Sequence, residues 1–225
     1  MDVPIRIEPC RFHSCGMQHL HYHTGDVSMS SIFLNTYIKF FFLLTPFFLL
    51  STFLSMTQDT NPAERKKIAV KVTIAIIIIC IILFLTGRQI FAVFGITLDS
   101  FRIGTGVLLF LSSITLVQGT GKALTKDPSE DISVVPLAIP VAVGPATTGA
   151  LMVMGVELQR SWEKAIGIAA LIAAIISTGI LLYLGGAIER VLKRQGLLIL
   201  SKVTGLVLAA LAAQMIMTGI KSFLQ

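Results

Sequence analysis

No histidine follows His23, no Asp or Glu falls inside any of six long uncharged runs, and only 13% of the 225 residues are charged. The missing histidines take the usual general base away from most of the chain. Neither a phosphate-cradling Gly-x4-Gly-Lys loop nor a His-Glu-x2-His zinc motif is present, so an enzyme is not expected, and no cofactor is. The missing carboxylates exclude a buried proton relay of the Asp or Glu kind. Three cysteines, Cys10, Cys15 and Cys80, define no disulfide framework. Cys80 stands among isoleucines and reads as a small apolar filler.

What the chain does have is apolar length. Hydrophobic residues make up 54% of it, and the mean hydropathy is +0.84. Soluble proteins carry about one quarter charged residues, so this composition points to a membrane. The uncharged runs are Phe40 to Gln58, Val72 to Gly87, Ile103 to Gly121, Ile132 to Val156, Ala165 to Ile188 and Val203 to Ile220. About 20 apolar residues cross the hydrocarbon as a helix, so six spans are expected, the second extended by Ile68, Ala69 and Ile90. The runs do not alternate in polarity, and lipid-facing backbone must satisfy itself, which selects helices over barrel strands. The expected fold is all-α and polytopic.

The six runs form two sets of three. At a constant spacing of 99 residues, Pro46 matches Pro145, Glu64-Arg65 matches Glu163-Lys164, Gly87 matches Gly186, and Thr105-Gly106 matches Thr204-Gly205. Three crossings per copy place the second copy upside down relative to the first. This is the sequence form of a 3+3 inverted-repeat transporter with its site near the bilayer midplane. The first repeat is expected over residues 29–124 and the second over 125–225.

A net charge of +6 would suggest nucleic acid in a soluble protein, but here its distribution gives topology and no nucleic-acid partner is expected. Loops after helices one, three and five hold ten basic residues, among them Arg65, Lys66, Lys67, Lys71, Lys122, Lys126, Arg190 and Lys202. The opposite side holds five: Arg88, Arg102, Arg160, Lys164 and Lys221. Basic loops stay in the cytoplasm, which puts both termini in the periplasm. Residues 1–28 differ from the rest, with all four histidines, two cysteines and no apolar run. They read as a disordered head or an over-extended gene start, with translation from Met29. Cys10, His13, Cys15, His19, His21 and His23 are candidate metal ligands, but their spacing fits no zinc pattern, and no metal site is assigned.

The stretch FGITLDSFRIGTGVLLF, from Phe94 to Phe110, and the stretch PLAIPVAVGPATTGA, from Pro136 to Ala150, resemble the two most characteristic segments of the MarC family. The resemblance runs from Met29 to Gln225. It implies a bacterial inner-membrane protein of six spans that transports neutral amino acids such as alanine or glycine, and it is similar to exporters of the LysE type. The first helix departs from the family pattern, since Thr45-Pro46 is followed by Phe47 and Phe48 where the family has a Gly and a second Pro.

The repeat-paired prolines locate the expected site. Proline inside a helix removes a donor and clashes with the preceding turn. Pro140 and Gly144-Pro145 should therefore break the fourth helix, as Pro46 breaks the first. Released carbonyls suit an ammonium, and half-helix amides suit a carboxylate, so the two ends of a zwitterion can be held. Thr147, Thr148, Thr45 and Ser51 are the accompanying hydroxyls, with Thr105 and Thr204 as repeat-related candidates for the cavity wall. Gly104, Gly106, Gly179, Gly185, Gly186 and Gly205 read as close-packing points between helices. Arg102 pairs with Asp99 near an interface, and Lys39 reads as a membrane-edge anchor. Coupling to Na+ or H+ is left open by these residues, as are a homo-oligomer, a channel-like pore and a structural membrane protein that transports nothing. Lipid is the one partner every reading shares.

Overall fold

The computed structural model describes residues 29–58, 60–119, 143–158 and 160–224, the side chains of Lys193 and Arg194 excepted. Among these residues there are seven helices and no strand: α1 (Met29–Leu43), α2 (Pro46–Met56), α3 (Pro62–Phe94), α4 (Leu98–Gln118), α5 (Pro145–Glu157), α6 (Ser161–Tyr183) and α7 (Gly185–Phe223). Five stretches are long and apolar enough to cross a bilayer: Met29–Met56, Pro62–Phe94, Leu98–Gln118, Ser161–Tyr183 and Gln195–Phe223. The predicted fourth span is described only from Val143 onward, and its helical part is the 13-residue α5.

Local chemistry sets the helix boundaries. α3 starts on Pro62, preceded by Asn61, whose side chain accepts from Ala63 N at 3.4 Å. Pro at the first helical position loses no bond, because that amide has no partner inside the helix. Gly95 ends α3 with φ 64°, and Gly119 ends α4 with φ 71°, a left-handed geometry that glycine adopts without strain. Thr97 caps α4 by accepting from Ser100 N. Glu163 reaches back to Arg160 N at the start of α6.

Two boundaries differ from the sequence expectation. The first span begins at Met29, not Phe40, so Lys39 sits inside a helix and lines a cavity. The basic segment expected as a loop before the sixth span is helical, since α7 runs unbroken for 39 residues from Gly185. Charge marks where a chain meets water, but Glu189, Arg190, Leu192 and Gln195 are all good helix formers and no proline stands among them.

Outward faces are apolar. Ile74, Ile78 and Ile82 of α3 are each more than half exposed, while Ala69, Val72, Ile76, Cys80 and Phe84 on the other side are buried. An exposed apolar stripe of this kind suits a membrane or protein partner better than water. Inside, α4 packs antiparallel on α7 through small residues. A Cβ on Gly106 would stand 2.6 Å from Ile216 Cγ1 and 3.1 Å from Ala212 O. One on Gly205 would stand 2.9 Å from Val117 Cγ2 and 3.1 Å from Ser113 O. Both neighbours of Gly106 lie 99 residues beyond the corresponding neighbours of Gly205. Gly104, by contrast, has open space at its Cβ position and is no packing point.

Candidate functional site

The first helix breaks where Pro46 predicts. Thr45 is left-handed, with φ 45° and ψ 57°, and it is the one non-glycine residue of positive φ among the described residues. Pro46 then opens α2 as its first helical residue. The break takes away the Phe47 amide that would have paired with Leu43 O in a continuous helix. That carbonyl is not left to lipid. Thr147 Oγ1, in the first turn of α5, donates to Leu43 O at 3.5 Å in a buried contact. The start of α5 thus meets the end of α1.

Gly144 precedes α5 in an extended conformation, and no side chain caps the helix. Its first turn lies at the junction, and the helix dipole favours negative charge there. Around the junction lies a cavity of about 230 Å³, lined by Thr45, Phe48, Gly144, Pro145 and Thr147, with Leu43, Leu109, Ser112, Thr115 and Leu208 among the rest of its wall. Liquid water occupies about 30 Å³ per molecule, so the space suits a few waters or one small solute.

Of the expected site residues, Thr45, Gly144, Pro145 and Thr147 come together on this cavity. Pro46 is buried as the first residue of α2 and is not on the cavity wall. Ser51 lies further along α2 and Thr148 further around α5, and neither is on the cavity wall. Thr105 packs against Gly149, and Thr204 donates to Leu200 O of its own helix, so both are turned to helix packing. Pro140 lies outside the described residues. Ser112 and Thr115 were not foreseen. Their spacing of three on α4 puts both on one face and was the available signal.

A second, smaller cavity of about 100 Å³ lies further along α4, and Leu43 and Leu109 line both. Its wall includes Lys39, Arg102, Glu157, Gln214 and Thr218. Arg102 Nη1 donates to Asp99 Oδ1 at 2.9 Å, the pairing expected from sequence. It also makes a contact that sequence did not suggest: Nη2 and Nε both donate to Glu157 Oε1, at 2.7 and 3.1 Å. Ser222 of α7 donates to Asp99 Oδ2 at 2.8 Å. Among the described residues no three His, Cys, Asp or Glu side chains gather as a metal site would need.

A family model described as "MarC family integral membrane protein" matches residues 30–224. The chain belongs to the MarC family. A UPF0056 membrane protein of Pyrococcus abyssi is 32% identical over 189 residues, covering 82% of this chain and 92% of its own. A UPF0056 membrane protein of Methanocaldococcus jannaschii is 31% identical over 199 residues, with 85% and 97% covered. The UPF0056 membrane protein YhcE of Escherichia coli is 30% identical over 199 residues, with 84% and 92% covered. No solved structure matches the chain. The MarC match takes in both half-helices and both cavities, so every residue placed here belongs to the family's common length.

Proposed function

We propose that this MarC protein carries small neutral amino acids, of the size of alanine or glycine, across a bacterial inner membrane by alternating access, without enzymatic chemistry. The observation that carries the reading is the meeting of the broken first helix, at Leu43, with the start of α5, at Thr147, beside a cavity of solute size. The α5 amides and the Thr147 hydroxyl suit a carboxylate, and the carbonyls at the end of α1 suit an ammonium. Thr45, Pro46, Gly144, Pro145 and Thr147 form the core of the site. No cofactor is needed. Backbone carbonyls and hydroxyls could hold a coupling Na+, and facilitated export needs no ion.

The 3+3 inverted repeat is part of the same proposal. It is supported by the antiparallel packing of α4 on α7 and by the matched neighbours of Gly106 and Gly205. The starts of α2 and α5, and those of α3 and α6, also keep the 99-residue spacing. Basic residues then set both termini in the periplasm. The test is counterflow of labelled alanine in proteoliposomes. Saturable exchange is the expected result, and inert vesicles, or a conductance that does not saturate, would overturn the reading.

A further inference from the structure

The two cavities meet at Leu43 and Leu109, and what lies beyond each differs in charge. On the side of the α4 C-terminus, the cavity holding the half-helix junction is walled by hydroxyls and apolar side chains. On the side of the α4 N-terminus, the smaller cavity has the paired Arg102 and Glu157 in its wall. Arg102 is only 15% exposed, and Glu157 is 40% exposed, so the pair is partly shielded from solvent and stays attractive. Glu157 is the last residue of α5, whose first turn touches Leu43. Asp99 and Ser222 extend the network to α7. One set of bonds thus ties α4 to both α5 and α7, across the two repeats.

Among the described residues the opposite face shows no such ion pair. By the 99-residue spacing, the counterparts of Arg102 and Glu157 are Ser201 and Gln58. Ser201 is buried and donates to Leu197 O within its own helix, while Gln58 is exposed. A serine and an amide form no ion pair. In an inverted repeat the two faces are otherwise alike, so this difference biases which one is closed.

We infer that the Arg102–Glu157 pair is a latch that keeps the α4 N-terminal face of the cavity shut, and that opening this face requires the pair to separate. Lys39 on the same wall offers Glu157 a second cationic partner as the pair parts. The inference rests on the alternating-access and inverted-repeat reading for its purpose, and on the ion pair for its geometry.

The test uses the full chain carrying Cys10→Ser, Cys15→Ser and Cys80→Ala, with Ala150→Cys as a reporter on the smaller cavity. A membrane-impermeant methanethiosulfonate is applied to each side of reconstituted vesicles, and the labelling rate is read. Glu157→Gln should raise the rate from one side by about tenfold, which converts to about 1.4 kcal/mol. Arg102→Gln should do the same. The double variant should match either single one, because both remove one interaction, whereas general loosening would add. An unchanged rate in Glu157→Gln, with the melting temperature retained, overturns the latch. Alanine counterflow is measured on the same vesicles. If wild-type vesicles show no counterflow while Glu157→Gln still speeds labelling, the latch stands and the amino-acid reading falls. If counterflow is normal and labelling does not respond, the latch falls alone.

Discussion

Thr147 does two jobs that one substitution can separate. Its hydroxyl donates to a carbonyl exposed by a helix break, and its position in the first turn of α5 puts it on the cavity wall. Hydrogen bonds between membrane helices average about 0.6 kcal/mol and reach about 1.7. At 3.5 Å this one belongs at the weak end. Thr147→Val, which keeps the shape and drops the hydroxyl, should therefore cost less than about 1 kcal/mol by thermal unfolding in detergent. It should still raise the KM for alanine several-fold in counterflow. A large loss of stability with an unchanged KM would mark the residue as a helix fastener only. Thr45 is the complementary case. A left-handed threonine costs about 1–2 kcal/mol, a strain that the surrounding packing must offset at the place where the hydrogen-bond ladder is cut.

Among elements, the α4–α7 seam is the most exacting. Ser113, Val117, Ala212 and Ile216 crowd two glycines in matching ways, so overpacking at either should have the same effect. Gly106→Val and Gly205→Val should each cost about 1–3 kcal/mol, with the two midpoints in a denaturation series falling close together. Widely different losses would count against an internal two-fold relation. This seam was legible before any coordinates, because small residues at repeat-related positions have few other uses in a membrane. The break at Pro46 and the start of α5 at Pro145 were legible for a similar reason, since proline acts on its own backbone. The unbroken α7 and the Arg102–Glu157 pair were not. Charge clusters do not interrupt helices, and a contact between residues 55 apart depends on how helices cross, which periodicity does not encode.

The whole molecule is turned outward in composition, with isoleucine and leucine on its surface and polar side chains tied to carbonyls within their own helices. Its orientation rests on the charged ends. Arg65 donates to Thr57 O at the end of α2, and Lys66 lies 4.9 Å from the centre of the Tyr183 ring, so this end gathers cations and an amphipathic ring as a membrane–water boundary does. A periplasm-dependent reporter enzyme fused after Gln225 should be active, and activity only in the cytoplasmic version would reverse the proposed topology.

α3 carries a further implication. It is 33 residues long, yet between Lys71 and Arg88 only 16 of them are uncharged. At 1.5 Å per residue that stretch covers about 24 Å, against a hydrocarbon layer of about 30 Å. Lys71 and Arg88 must stretch toward the headgroups, or the surrounding leaflets must pinch inward, and each ångström of misfit carries a modest cost. Membrane thickness thereby becomes one of the forces acting on the shape of α3.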